Sequence, residues 1–117
     1  MEIQAILESL CTVDGVTGAI LVNESGEVTD SSITGQWDPD HVANLAYTGL
    51  VTGNRIADYL DRNPLKQSYI EFDDSSITLD QLKDGSILVL LASNGANLGR
   101  IRLEIRKSKK SIEGLIG

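Results

Sequence analysis

Residues whose types could do chemistry are few in this chain and stand apart from one another. His41 is the only histidine, so no second imidazole is available for a metal site. It reads as an exposed residue at the start of a helix, not as a catalytic one. Cys11 is the only cysteine, which rules out an internal disulfide. Its neighbour Asp14 supplies no cation to stabilise a thiolate, so it reads as a small hydrophobe. Ser93-Asn94-Gly95-Ala96-Asn97-Leu98-Gly99 is a glycine-containing turn opening a helix, a place where an anion can bind. It lacks the Lys-Ser/Thr pair that completes a phosphate loop, and a plain turn with a helix cap is the reading. Asp73-Asp74-Ser75-Ser76 lacks the ligand spacing of a calcium loop and reads as a hairpin turn. Arg55 is weighed because an arginine supplied in trans can accelerate GTP hydrolysis. A regular helix is a stiff place for such a finger, and a solvated or interface arginine is the reading. The expectation is therefore no catalytic residue, no metal and no cofactor; the chain is expected to work through its surface.

Charge says which surfaces. The net charge of −7 argues against general nucleic-acid binding, since neutralising phosphates needs basic surface. The balance is uneven: residues 1–99 hold four basic and fifteen acidic groups, and residues 100–117 hold six and two. Arg100, Arg102, Arg106, Lys107, Lys109 and Lys110 read as a solvated helix face with cations toward its C-terminus, where the dipole favours them. The rival is a dedicated site for an acidic partner or an anionic lipid. No apolar run is long enough for a membrane span, and the N-terminus MEIQAILESL carries acids with no basic n-region. A cytoplasmic protein with no integral membrane segment is expected.

The elements that position these residues follow from periodicity. With 117 residues, one domain spanning 1–117 is expected. Glu2 to Cys11 reads as a helix, ended at Asp14-Gly15. Thr17 to Asn23 and Ile87 to Leu91 are strands whose cores, Ala19 to Val22 and Ile87 to Leu91, are continuously apolar. That pattern predicts burial on both faces and a central place in the sheet. Glu27 to Ile33 and Lys66 to Phe72 are more polar and predict edge strands, while Ser76 to Leu82 should turn Ile77 and Leu79 inward and Thr78 and Asp80 outward. Short turns at Glu24-Ser25-Gly26-Glu27 and Lys83-Asp84-Gly85-Ser86 predict hairpins, hence an antiparallel sheet. Asn97 to Leu115 forms the last helix.

The chain is organised around Pro39 to Arg62, a helix capped by Asp38 with proline at its first position. Trp37 is placed to pack on its first turn, and Asn63-Pro64 should end it. Its apolar and small residues cover roughly 200° of circumference, against about 100° needed for one sheet. Leu45, Gly49 and Ile56 are expected on the sheet. The flank of Ala43, Tyr47, Leu50 and Ala57 is expected to meet a second copy, leaving a polar ridge of Asn44, Thr48 and Arg55 with Val51 beside it. An exposed edge at 66–72 adds to the case for self-association.

Several stretches resemble the roadblock/dynein light chain family. Asp14 to Val22 is similar to its approach to the first strand, and Glu24-Ser25-Gly26-Glu27-Val28 to its first hairpin. Lys83 to Leu91 resembles the last hairpin and central strand, and Asn97-Leu98-Gly99-Arg100-Ile101-Arg102 the opening of the final helix. The resemblance implies an α+β, profilin-like fold of order α-β-β-α-β-β-β-α. Its five-stranded antiparallel sheet has strand order 2-1-5-4-3, with the long helix on one face and both terminal helices on the other. It also implies a homodimer formed by the third strand and long helix: Ala43, Ala46, Tyr47, Leu50, Asn54 and Ala57, with Gln67, Tyr69 and Glu71. Members, including the bacterial MglB type, regulate small Ras-like GTPases. This implies a non-enzymatic regulator of such a GTPase, binding it through Asn44, Thr48, Val51 and Arg55. The alternative is a light-chain-like adaptor with no effect on GTP hydrolysis.

Overall fold

The computed structural model describes residues 2–116. The elements are α1 (Ile3–Leu10), β1 (Val16–Val22), β2 (Val28–Ile33), α2 (Pro39–Tyr59), β3 (Gln67–Glu71), β4 (Ser75–Gln81), β5 (Ile87–Ser93) and α3 (Leu98–Ile116). The five strands form one antiparallel sheet in the order β2-β1-β5-β4-β3. The expected strand order, the hairpins and the two edge strands are all present.

The continuously apolar strands explain the layering. Because successive side chains on a strand point to opposite faces, β1 and β5 feed two separate cores. Ala19, Leu21, Leu88 and Leu90 pack with Ile6, Leu7 and Leu10 of α1 and Ile101, Ile105 and Ile112 of α3. Ile20, Val22, Ile87 and Val89 pack with Ala43, Ala46 and Leu50 of α2. Their register locks the two layers together, with Ala19 opposite Leu90 and Ile20 opposite Val89. One residue of slip would exchange the faces. The turn from α1 into β1 and the turn from β5 into α3 meet at Gly15, whose φ is +89° and whose position leaves 2.4 Å between a built Cβ and that of Ala96. No side chain fits there without moving backbone.

Two expectations about strands and helix ends are corrected. Thr78 and Asp80 do not face solvent: they are 8% and 5% exposed. That face of β4 is shielded from water by side chains that reach across it: Lys109 of α3 bonds Asp80 at 2.8 Å and Gln67 of β3 bonds the same carboxylate at 2.7 Å. The long helix ends at Tyr59, before Asn63-Pro64. Arg62 N–H donates to Ala57 O at 2.8 Å and Asp61 N–H to Asp58 O at 3.2 Å, with Asp61 at φ +57°. This is a Schellman closure with aspartate in the left-handed position that glycine usually fills. Asp61→Gly is expected to raise stability by about 0.5–1 kcal/mol, by removing the left-handed strain of a side chain. The urea midpoint should rise with an unchanged slope.

At the start of α2, Asp38 caps as expected, its Oδ1 accepting from Asp40 N–H at 3.1 Å. Trp37 lies beside Val42 in one cleft but stays 61% exposed, so it only partly staples the first turn.

Candidate interaction surface

The rotation of α2 decides which residues are free to bind. Ala43, Ala46 and Leu50 are 1%, 4% and 5% exposed. They lie at i, i+3 and i+7, one helical stripe, and bury themselves against Ile20, Leu79 and Val89. Leu45 and Ile56, expected on the sheet, are instead 61% and 56% exposed. Gly49 lies against the sheet as expected, but Leu45 and Ile56 do not, and the stripe of Ala43, Ala46 and Leu50 takes the place expected of them. The physical reason is depth of approach. Alanine at 43 and 46, with Gly49 only 3.4 Å from Leu79 Cδ1 and Gly53 2.6 Å from Leu65 Cδ2 at a built Cβ, lets the helix axis settle close to its neighbours. Bulky Leu45 and Ile56 would hold it off.

This removes Ala43, Ala46 and Leu50 from any surface a second copy could reach. Tyr47 is half-buried in the same core and lies against Gly26. Asn54 is committed within the chain, its Oδ1 accepting from Leu65 N–H at 2.8 Å. Ala57 is half-buried on the sheet side. On β3, Gln67 and Tyr69 project toward α3: Gln67 Nε2 donates to Asp80 Oδ2 at 2.7 Å, and the Tyr69 ring lies 5.9 Å from the Arg102 guanidinium carbon. What β3 leaves open is its outer backbone edge, since its only partner strand among the described residues is β4.

The residues left exposed make a different stripe. Leu45, Thr48, Thr52, Ile56 and Tyr59 follow at i, i+3, i+7, i+11 and i+14 along the outer face of α2, the spacing of a helix–helix seam. Thr48 and Thr52 return their hydroxyls to Asn44 O and Thr48 O at 3.1 and 3.0 Å, which leaves their methyl groups outward. Tyr59 and Leu60 continue the stripe at 90% and 56% exposure. At its other end Leu45 joins Trp37, Val42, Phe72 and Ile77 around a cleft of about 230 Å³. Contiguous exposed apolar surface of this kind marks an interaction site. The ridge of Asn44, Thr48, Val51 and Arg55 lies alongside it, and all four are exposed.

His41 is exposed on the first turns of α2, and Cys11 is half-buried with its Sγ 3.2 Å from Ser32 O. The 93–99 turn is closed by Asn97, whose Oδ1 accepts from Arg100 N–H at 3.1 Å. Among the described residues no three His, Cys, Asp or Glu side chains gather as a metal site, and no helix is long and apolar enough to cross a membrane.

Comparison with known proteins agrees with this architecture. A family model described as Roadblock/LC7 domain matches residues 2–92. An uncharacterised protein of Methanocaldococcus jannaschii is 27% identical over 113 residues, covering 97% of this chain and 95% of its own. Among solved structures, Myxococcus xanthus MglB superposes with a TM-score of 0.91 at 21% identity, covering 97% of this chain and 94% of that one. A Roadblock/LC7 domain from Streptomyces avermitilis gives the same TM-score and identity over 99% and 98% of the two chains.

Proposed function

The chain belongs to the Roadblock/LC7 domain family, and from that premise we propose that it acts as a homodimeric, non-enzymatic regulator of a small Ras-like GTPase. The observation that carries the reading is the outward seam of α2, Leu45 to Tyr59, in a chain whose β3 has an outer edge with no partner among the described residues; Leu45 and Phe72, just past β3, line one cleft. A second copy laid antiparallel along the seam would bury those side chains, and pairing of the two β3 edges would continue the sheet. The dimer surface is therefore Leu45, Thr52, Ile56 and Tyr59 with the β3 backbone at Gln67, Tyr69 and Glu71.

The GTPase is assigned to the ridge of Asn44, Thr48, Val51 and Arg55, which runs beside the seam and shares only Thr48 with it. Two such ridges would flank the dimer axis and present one platform. The test uses the Ras-like GTPase that co-purifies with the chain. Val51→Arg is expected to weaken its binding by about tenfold, through loss of an apolar contact and an unpaired charge, while sedimentation still reports a dimer. Nucleotide hydrolysis by that GTPase should change rate when the protein is added. Binding with an unchanged rate would leave the adaptor role instead.

A further inference from the structure

The basic residues of α3 do more than solvate a helix. The helix continues past Lys110 to Ile116, and its last turn holds no basic residue, so the dipole does not account for them. Arg102, Arg106, Lys109 and Lys110 follow at i, i+4, i+7 and i+8, so they share one side of α3. That side faces the part of the sheet α3 does not cover. Together with Lys66, Gln67, Asp80 and Glu113 they line a cleft of about 430 Å³ between α3 and the β3–β4 strands.

The two carboxylates of the cleft are already committed. Asp80, 5% exposed, accepts from Lys109 Nζ at 2.8 Å and from Gln67 Nε2 at 2.7 Å. Glu113 Oε2 accepts from Lys83 N–H at 2.9 Å. Among the described residues Lys66, Arg102, Arg106 and Lys110 form no salt bridge. The cleft thus holds five cations against two carboxylates, a net charge of +3 on a protein whose net charge is −7. Arg102 is steadied over the Tyr69 ring at 5.9 Å, a contact that fixes where its fork can point.

The arrangement of these cations identifies the ligand class. From Arg102 to Lys110 is about 12 Å along the helix, with steps of about 6 Å between charges. They form a row and do not converge on one point, so a single phosphate would engage only part of it. A polypeptide places carboxylates at that pitch, either at i and i+4 of a helix or at i and i+2 of an extended strand. Arginine forks match carboxylates in geometry as well as charge. We propose that the cleft between α3 and β3–β4 is the docking site for an acidic segment of a partner protein, with carboxylates repeating about every 6 Å. The cleft is complete within one chain, so it does not depend on association through α2.

The probe is a fluorescein-labelled, alanine-rich helical peptide with glutamate at every fourth position, followed by fluorescence anisotropy beside its glutamine twin. The glutamate peptide is expected to bind and to weaken as salt rises, and the twin is expected not to bind. Arg106→Glu should weaken binding about fivefold, and Lys107→Glu, the same charge change on the same helix, should leave it unchanged. Lys107 pairs with Glu104 at 3.8 Å and does not line the cleft. Should Arg106→Glu fail to fold, Lys110→Glu reads the same cleft. Equal binding of the twin, or equal loss in the two α3 variants, overturns the proposal. So does displacement of no peptide by excess unlabelled competitor, or binding of phosphatidylserine vesicles or inorganic phosphate in its place. A switch of Arg106→Glu to monomer, with no peptide binding to the unsubstituted protein, would also overturn it and assign the cleft to self-association.

Discussion

Leu50→Arg is expected to abolish folding, with no cooperative thermal transition and a collapsed amide spectrum, while Leu45→Arg folds and melts cooperatively like the dissociated unsubstituted chain. Leu50 is 5% exposed and packed among Ile20, Val22, Leu79 and Val89. The substitution forfeits about 1.5–3 kcal/mol of apolar burial. Forcing a longer side chain into a filled layer costs about 1–3 kcal/mol more. An unpaired guanidinium with no carboxylate in that core then adds several kcal/mol. The sum reaches the whole stability of a typical domain, about 5–15 kcal/mol. Ala46→Arg should behave alike, since Ala46 is 4% exposed on the same stripe. Leu45, at 61% exposed, can carry a charge into water at a cost within about 0.5 kcal/mol. A Leu50→Arg protein that melted normally and merely failed to associate would show α2 to be rolled the other way.

That contrast marks where the sequence stopped being readable. The central strands were legible because Ala19 to Val22 and Ile87 to Leu91 leave no polar position to face water. A strand of that kind has to be covered twice. The hairpins were legible through Gly26 and Gly85, which hold φ +88° and +92°. The roll of α2 was not. Its apolar arc holds two competing stripes, and periodicity weighted toward large side chains selects Leu45 and Ile56. Close packing selects the smaller residues Ala43 and Ala46, a criterion that depends on the shape of the sheet beneath and is absent from the helix itself. Asp80 fails for a related reason. Alternation along β4 assigns a polar residue to water, yet its burial is made tolerable by Lys109, twenty-nine positions later in the chain. No local pattern contains that pairing. The end of α2 was misplaced because Asp61, and not glycine, occupies the left-handed residue of the cap.

The candidate site inherits the same mixture. The element that carries it, the long helix beside an edge strand, was identifiable from its surplus of apolar surface. Of the residues that the sequence offers for it, Ala43, Ala46 and Leu50 are taken by the core, and the outward stripe of the same helix is what stays open. The ridge of Asn44, Thr48, Val51 and Arg55 is exposed under either roll, because it is turned away from the sheet in both.

A Leu45→Glu, Ile56→Glu double variant is expected to be a folded monomer at concentrations where the unsubstituted protein is a dimer. Leu45, Ile56 and Tyr59 keep 61%, 56% and 90% of their surfaces in water in the single chain. Roughly half of each of the two aliphatic side chains therefore remains to be buried, about 1 kcal/mol apiece. A twofold axis counts each residue twice, so the variant loses about 4 kcal/mol of apolar association energy, a factor of about a thousand in Kd. Four introduced carboxylates facing one another across the seam add repulsion to that loss. The fold has no stake in either residue, so the melting temperature of the variant should track that of the monomer. Sedimentation velocity across a micromolar dilution series reads the outcome directly. A double variant that still sediments as a dimer would place the interface off α2 altogether. A monomeric variant that melts earlier than the dissociated unsubstituted chain would mean the seam belongs to the chain's own core. Only loss of association with the fold retained agrees with a helix whose inner stripe is alanine and whose outer stripe waits for its own copy.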